Sequence, residues 1–313
     1  MRLPLVILLF VLLTVSAWAQ AGSQVSQYNG FDLSNSLIPK DDIHSGGPPK
    51  DGIPAILSPK FEEAKEAKWL NDDDLVSGFT YNGVKRAYPL RILVWHEAVN
   101  DKIGALPFLV SYCPLCGSTV VFNRSIKGKE YTFGISGLLY QSDVLFYDRE
   151  TNSLWSQLEM KSVSGKMAGT NFNVLPSTLA TWKEWREKHP DTLILSRDTG
   201  FLRDYDRQPY LGYEESRSLM FPIKNKNDKF HPKEKVLVVL SGDSAKAYPF
   251  SELQKVKTPL KDRLGGRDIV IEFKDGDYVT ATSISGNPVD SFVSYWFAWF
   301  TFRPDTLIFT SSE

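Results

Sequence analysis

The stretch Leu75-Val-Ser-Gly-Phe-Thr-Tyr-Asn-Gly-Val-Lys-Arg-Ala-Tyr-Pro-Leu90 carries the fold. Leu75–Tyr81 and Val84–Tyr88 are β-branched and aromatic enough for strands. Asn82-Gly83 between them is the strongest short-range hairpin signal, because both residues tolerate positive φ. Pro89 then leads into Leu90-Arg-Ile-Leu-Val-Trp-His-Glu-Ala-Val99, which reads as a helix with Leu90, Leu93, Val94 and Glu97 on one face. The pattern returns 160 residues later. Val236–Gly242 is an apolar strand and a Gly turn, and Ala245-Lys-Ala-Tyr-Pro-Phe250 repeats the Ala-Tyr-Pro entry to a helix. A second echo links Thr181-Trp-Lys-Glu-Trp185 and Pro190-Asp-Thr-Leu-Ile194 to Tyr295-Trp-Phe-Ala-Trp299 and Pro304-Asp-Thr-Leu-Ile308, 114 residues on.

Two echoes in the same order imply a duplicated unit. Their offsets differ by 46, so the second copy is expected to lack about that many residues, including the region of Cys113–Cys116 and Gly137–Asp143. The remaining segments are short strands separated by turn signals: Leu106–Tyr112, Ser118–Asn123, Tyr131–Ile135, Val144–Tyr147, Ser153–Leu158 and Thr192–Leu195. Short strands at this spacing argue against a doubly wound sheet. The expected fold is α+β and β-rich. It has two related lobes from a degenerate internal repeat, with short helices packed on small sheets or barrels. Residues 20–59, rich in Gly, Pro and Ser, read as an extended N-terminal arm. Residues 60–200 read as the first lobe and 201–313 as the second. Ser58–Ala67 reads as a capped helix with Pro59 at its first position, and Thr178–Lys188 as another. Ser136–Asp143 holds too many polar and glycine positions for a plain strand.

Features shared by both copies most simply serve the fold. Features of the first copy alone are the candidates for chemistry: His96, Glu97, Cys113, Cys116 and Ser136–Asp143. Cys113 and Cys116 are the only cysteines, in Tyr112-Cys-Pro-Leu-Cys-Gly-Ser118. Pro114 pre-sets a tight turn, and Gly117 suits a positive φ that aims backbone N–H groups at sulfur. The turn has the form of a single metal knuckle, whereas a full structural site needs two knuckles or one knuckle and two further ligands. With His96 as a third ligand it leaves one position open, as in catalytic zinc sites. Zinc, copper or iron all suit thiolate with imidazole. Asp143, Met160 or Met167 are further ligand candidates, and Glu97 with Asp143 is a weaker acid/base pair for catalysis. The same sulfurs also fit a thiol–disulfide protein of the envelope. A third class is a non-catalytic binding module pinned by a structural disulfide. No Gly-x-Ser-x-Gly elbow occurs.

Arg2, the apolar run Leu3–Val15 and Ala17-Trp-Ala19 form a secretory signal peptide over residues 1–19, cut after Ala19. The chain is expected to be exported to the periplasm, the envelope or the medium. No transmembrane segment is expected in the mature chain, and no nucleotide cofactor. Without Arg2 the chain has 35 basic against 37 acidic side chains, which argues against nucleic acid as a partner. A small molecule or an envelope protein remains as partner.

His96-Glu97, Val99-Asn-Asp101, Tyr112–Ser118, Gly137-Leu-Leu-Tyr-Gln-Ser-Asp143, Tyr147-Asp-Arg149 and Ser153-Leu-Trp-Ser-Gln157, in this order, resemble the bacterial and archaeal family called domain of unknown function 3179. The resemblance runs from about Pro54 to the C-terminus. It implies an exported or membrane-tethered protein and brings no settled activity. Met160 and Lys166 depart from the small or turn-forming residues usual at those places.

Overall fold

A computed structural model describes residues 28–274 and 278–311. The leader, its cut after Ala19 and the first residues of the arm lie outside the described residues. The arm supplies β1 (Ile43–Ser45), and β2 (Phe61–Glu63) follows it. The first copy then runs β3 (Leu75–Tyr81), β4 (Val84–Pro89), α1 (Leu90–His96), β5 (Ala98–Ile103), β6 (Leu106–Cys113) and β7 (Ser118–Asn123). An insertion follows: β8 (Ser125–Ile126), β9 (Lys129–Glu130), β10 (Phe133–Tyr140), β11 (Asp143–Asp148), β12 (Leu154–Ser156), β13 (Lys161–Ser164) and β14 (Asn173–Leu175). The first copy closes with β15 (Thr178–Thr181), α2 (Trp182–Lys188) and β16 (Leu193–Leu195). The second copy comprises β17 (Lys235–Ser241), β18 (Ser244–Pro249), α3 (Phe250–Leu253), β19 (Leu260–Leu264), β20 (Arg267–Lys274), β21 (Tyr278–Ser283), β22 (Ser291–Tyr295), α4 (Trp296–Phe302) and β23 (Leu307–Ile308).

The fold is β-rich, with open sheets and no closed barrel among the described residues. Two eight-stranded sheets have the same plan. One is ordered β23-β18-β17-β22-β7-β6-β5, with β14 alongside β7; the other is ordered β2-β16-β4-β3-β15-β21-β20-β19. Each joins four strands of one copy to a three-stranded meander of the other. The junctions match residue for residue: Thr119 faces Val293, and Val279 faces Leu179. So do the parallel pairs, Ile194 with Ala87 and Ile308 with Ala247. Strands from residues 60–200 and 201–313 are therefore interleaved in both sheets. Within each copy the hairpin and the meander still enclose one core. Phe79, Tyr88, Phe108 and Val121 pack together in the first, and Leu237, Tyr248, Ile271 and Val279 in the second.

Local signals hold at the turns and shift at helix ends. Asn82 and Gly83 take positive φ in the hairpin as expected. The helix expected through Val99 stops at His96, because Glu97 adopts left-handed φ 57° and sends its N–H back to the Leu93 carbonyl. The helix expected from Thr178 starts at Trp182. Thr178–Thr181 instead pairs with β3, and the Thr181 hydroxyl accepts the Glu184 N–H as a cap. Ser58–Ala67 is not a helix. Phe61–Glu63 pairs with β16, so edge pairing overrides the Ser-Pro start signal. Ser136–Tyr140 does belong to a strand, β10, whose register shifts between Ile135 and Leu138. Gly137 forms that bulge at φ 76°, where a Cβ would sit 2.1 Å from the Pro48 carbonyl oxygen.

Among the described residues the second copy lacks the insertion and keeps both strands that flank the cysteine turn in the first. β6–β7 and β20–β21 occupy equivalent places as antiparallel pairs. The extra length of the first copy lies between β7 and β15. It builds a five-stranded sheet, β1-β10-β11-β12-β13, around Phe133, Phe146 and Trp155. Of the regions expected to be missing from the second copy, the one carrying Asp143 is missing among the described residues.

Candidate metal centre

The site forms where the insertion meets the β6–β7 turn. Cys113 pairs with Ser118 across the turn. The Cys116 N–H bonds to the Cys113 carbonyl at 3.1 Å, and that of Gly117 to the Pro114 carbonyl at 3.4 Å. Gly117 takes φ 54° as expected, but these amides serve carbonyls rather than sulfur. A Cβ on Gly117 would meet the Tyr295 ring at 2.5 Å, so the close approach of β22 requires glycine. The Tyr295 N–H clamps the Cys116 carbonyl at 2.8 Å, and the Tyr213 hydroxyl holds that of Leu115 at 3.2 Å. Behind the turn, the Gln157 side chain joins Ser111 and Ser118, fastening the insertion to the strands.

Asp143 reaches the sulfurs because β10 and β11 are joined by the two-residue turn Gln141-Ser142, both at positive φ. Neither is glycine, and such backbone persists only where surroundings enforce it. The Gln141 amide oxygen accepts the Lys224 N–H and the Thr301 hydroxyl, which holds the turn. The two sulfurs and one Asp143 carboxylate oxygen all lie within 4.8 Å of one another, and all three residues are buried. The Ser142 carbonyl faces them, 3.3 Å from the Cys116 Sγ and 3.9 Å from the Cys113 Sγ. Asp143 Oδ2 accepts the Ser156 hydroxyl at 3.1 Å and the Leu158 N–H at 3.0 Å. Oδ1 is buried and has no hydrogen-bond partner among the described residues.

Acidic groups accumulate here. Burial pushes the Asp143 carboxyl up to about 7. Burial, and then the Asp143 charge, pushes Glu97 up to about 8. Burial also holds the Cys116 thiol well above its usual range, with Cys113, Asp143 and Glu97 adding to the rise. Such a cluster is stable only protonated or with a cation.

Glu97 and Cys113 share a cavity of about 320 Å³, lined mainly by apolar side chains. The cavity lies under the Gly46–Ile53 part of the arm and under Met220–Phe221. The latter belong to a strap, residues 196–234, that forms no helix or strand.

His96 is not in this cluster. Its Nδ1 donates to the Pro54 carbonyl at 2.7 Å, so its Nε2 accepts from the Tyr205 hydroxyl at 2.6 Å. Thr199 in turn donates to Tyr205. Both ring nitrogens are thus used in fastening arm and strap to α1, and burial lowers the ring to about 4. Met167 is similarly engaged, its sulfur accepting the Tyr131 hydroxyl at 3.6 Å, and Met160 sits at a turn with φ 56°. The structure therefore joins Cys113, Cys116 and Asp143 and leaves His96 to the scaffold. The signal for Asp143 was its place in a stretch that the second copy lacks.

Residues 50–285 match the family described as Protein of unknown function (DUF3179). No curated protein and no solved structure matches the chain.

Proposed function

The chain belongs to the DUF3179 family of proteins of unknown function, and from that premise we propose that it binds one transition-metal ion through Cys113, Cys116 and Asp143. The observation that carries this reading is the Asp143 Oδ1 atom, buried without a partner beside two free thiols. An unpaired buried carboxylate oxygen is costly, and a cation relieves that cost together with the crowding of acids around it. Two thiolates and a carboxylate suit zinc. Copper(I) selects softer sets, and iron remains a competitor. Three protein ligands leave zinc a fourth position, and the bound ion would supply a Lewis acid there. Glu97, on the same cavity wall, is then the group able to give or take a proton near neutral pH. We further read the chain as exported after loss of its leader. No helix among the described residues is long and apolar enough to cross a membrane.

The thiol–disulfide alternative draws less support. Reactive cysteines have lowered thiols at helix N-termini or beside cations. Here burial raises Cys116, and the turn leads into a strand.

Metal content and thiol state measured on one reduced sample test the proposal. The expected result is one zinc per chain, with cobalt giving thiolate charge-transfer absorption. Cys113→Ser and Cys116→Ser should abolish uptake. Asp143→Asn should weaken it by at least the ~10–100-fold that losing an outer-shell partner costs. A folded, reduced wild-type protein that takes up no stoichiometric metal would overturn it.

A further inference from the structure

We infer that the cavity beside the cysteine turn is a binding site for a compact, uncharged, largely apolar molecule with one acceptor oxygen, which Glu97 holds. The volume, about 320 Å³, falls at the lower end of small-molecule sites, so the occupant is compact. Its wall is apolar over Ile53, Leu138, Val144, Met220 and Phe221. The polar side chains on the wall are the Glu97 carboxyl, the Cys113 thiol and the Tyr210 phenol, each a donor when protonated. Among the described residues no lysine, arginine or histidine lines it, so an anion would enter without a counter-charge.

Glu97 provides the second, independent observation. Its residue is only 6% exposed, and its carboxyl makes no hydrogen bond among the described residues. It is held at the wall by the left-handed backbone that ends α1, with its carbonyl accepting the Tyr112 N–H at 2.8 Å. A carboxyl on a cavity wall that makes no hydrogen bond to the protein lacks the partner that polar groups in enclosed places normally have. An acceptor oxygen on a ligand would supply one. The site adjoins the metal centre proposed above, but the interaction with Glu97 needs no metal. Binding to metal-free protein therefore tests this inference separately.

Equilibrium dialysis of the reduced, metal-free protein against four naphthalene probes provides the test. The neutral ketone 2-acetylnaphthalene should bind at least tenfold tighter than 2-naphthoate and tighter than 2-naphthylmethylammonium. Naphthalene itself should bind more weakly than the ketone. Glu97→Leu should remove the advantage of the ketone over naphthalene, whereas Glu97→Gln, which keeps a neutral donor, should retain it. Leu138→Phe should weaken all the neutral probes by narrowing the cavity. Comparable binding of all four probes, preference for either charged probe, or an unchanged ketone advantage in Glu97→Leu would overturn the inference. So would failure of the folded wild-type protein to bind the ketone.

Discussion

The two copies share buried polar keystones almost atom for atom, and they differ around the cysteine turn. In the first copy Asp101 accepts from Arg86 and from the Tyr88 hydroxyl, and its other oxygen takes the Lys102 N–H at 2.7 Å. In the second, Asp262 accepts from Lys246 and the Tyr248 hydroxyl, and takes the Arg263 N–H at 2.7 Å. Trp185 donates to Thr192 at 2.9 Å, and Trp299 donates to Thr306 at 2.9 Å. In what recurs both carboxylate oxygens are paired and fasten strand to strand, although Arg86 Nε has no partner among the described residues. What does not recur, Asp143 and Glu97, is buried and underpartnered. A carboxylate retained in both copies reads as scaffold; one present in a single copy, with an oxygen left free, reads as a site.

The comparison breaks first at Asp101. Replacing Asp101 with Ala leaves the Arg86 guanidinium and the Tyr88 hydroxyl without their partner in a buried setting. Breaking a buried pair from one side costs about 3–5 kcal/mol. Asp262→Ala should cost less, about 1–2 kcal/mol, because its Lys246 pair is partly wetted, with side chains 14% and 21% exposed against 17% and 7% for Arg86–Asp101. Urea unfolding of both variants checks the ranking. Equal losses would show that burial does not separate the two copies.

How much was legible in the sequence follows from which forces are local. Asn82-Gly83 fixed a hairpin because turn chemistry is local. The repeat was legible because Ala-Tyr-Pro and the tryptophan helix recur in the same order, and the Trp–Thr keystone keeps its spacing of 7 residues in both copies. The exchange of meanders between sheets was not, since the pairing of Thr119 with Val293 depends on contacts 174 residues apart in the chain. Likewise the third ligand. His96 was favoured by its nearness along the chain to Cys113, yet α1 ends by turning its ring toward Pro54 and Tyr205. Asp143 arrives through a Gln-Ser turn at positive φ, which composition gives no reason to expect. Glu97 stood out only as a weaker acid/base candidate, because its burial depends on the arm and strap that cover it.

His96 sharpens the comparison at intermediate magnitude. Its folded pKa of about 4 lies below the ordinary 6.5, so the unfolded chain takes up the proton first. Its contribution is full above about pH 6.5 and is lost as pH falls toward 4, by about 3 kcal/mol at ~1.4 kcal/mol per unit. Glu97 and Asp143 act oppositely. Their raised carboxyls stay protonated in the fold, which stabilises it as pH falls through about 8 and 7. The observable is therefore the difference between wild type and His96→Gln in chemical unfolding between pH 7 and 4.5. The wild type should lose more stability on acidification. Parallel curves would mean that the ring is not held neutral.

The smallest expected effect is the sharpest. Asp143→Asn keeps an oxygen to accept the Ser156 hydroxyl and the Leu158 N–H, the two bonds made by Oδ2. It removes a buried acid that Glu97 and Cys116 oppose. For metal-free protein at pH 8 the substitution should change stability by less than about 1 kcal/mol, or raise it, since relieving an uncompensated buried charge offsets the altered packing. Zinc at 100 times its dissociation constant should add about 2.7 kcal/mol to the wild type and far less to Asp143→Asn. A scaffold carboxylate behaves the other way, as Asp101 should: its loss harms the fold with or without metal. If Asp143→Asn unfolds the metal-free chain as severely as Asp101→Ala does, then Asp143 is a keystone that happens to lack a twin, and absence from the second copy is no guide to where the chemistry lies.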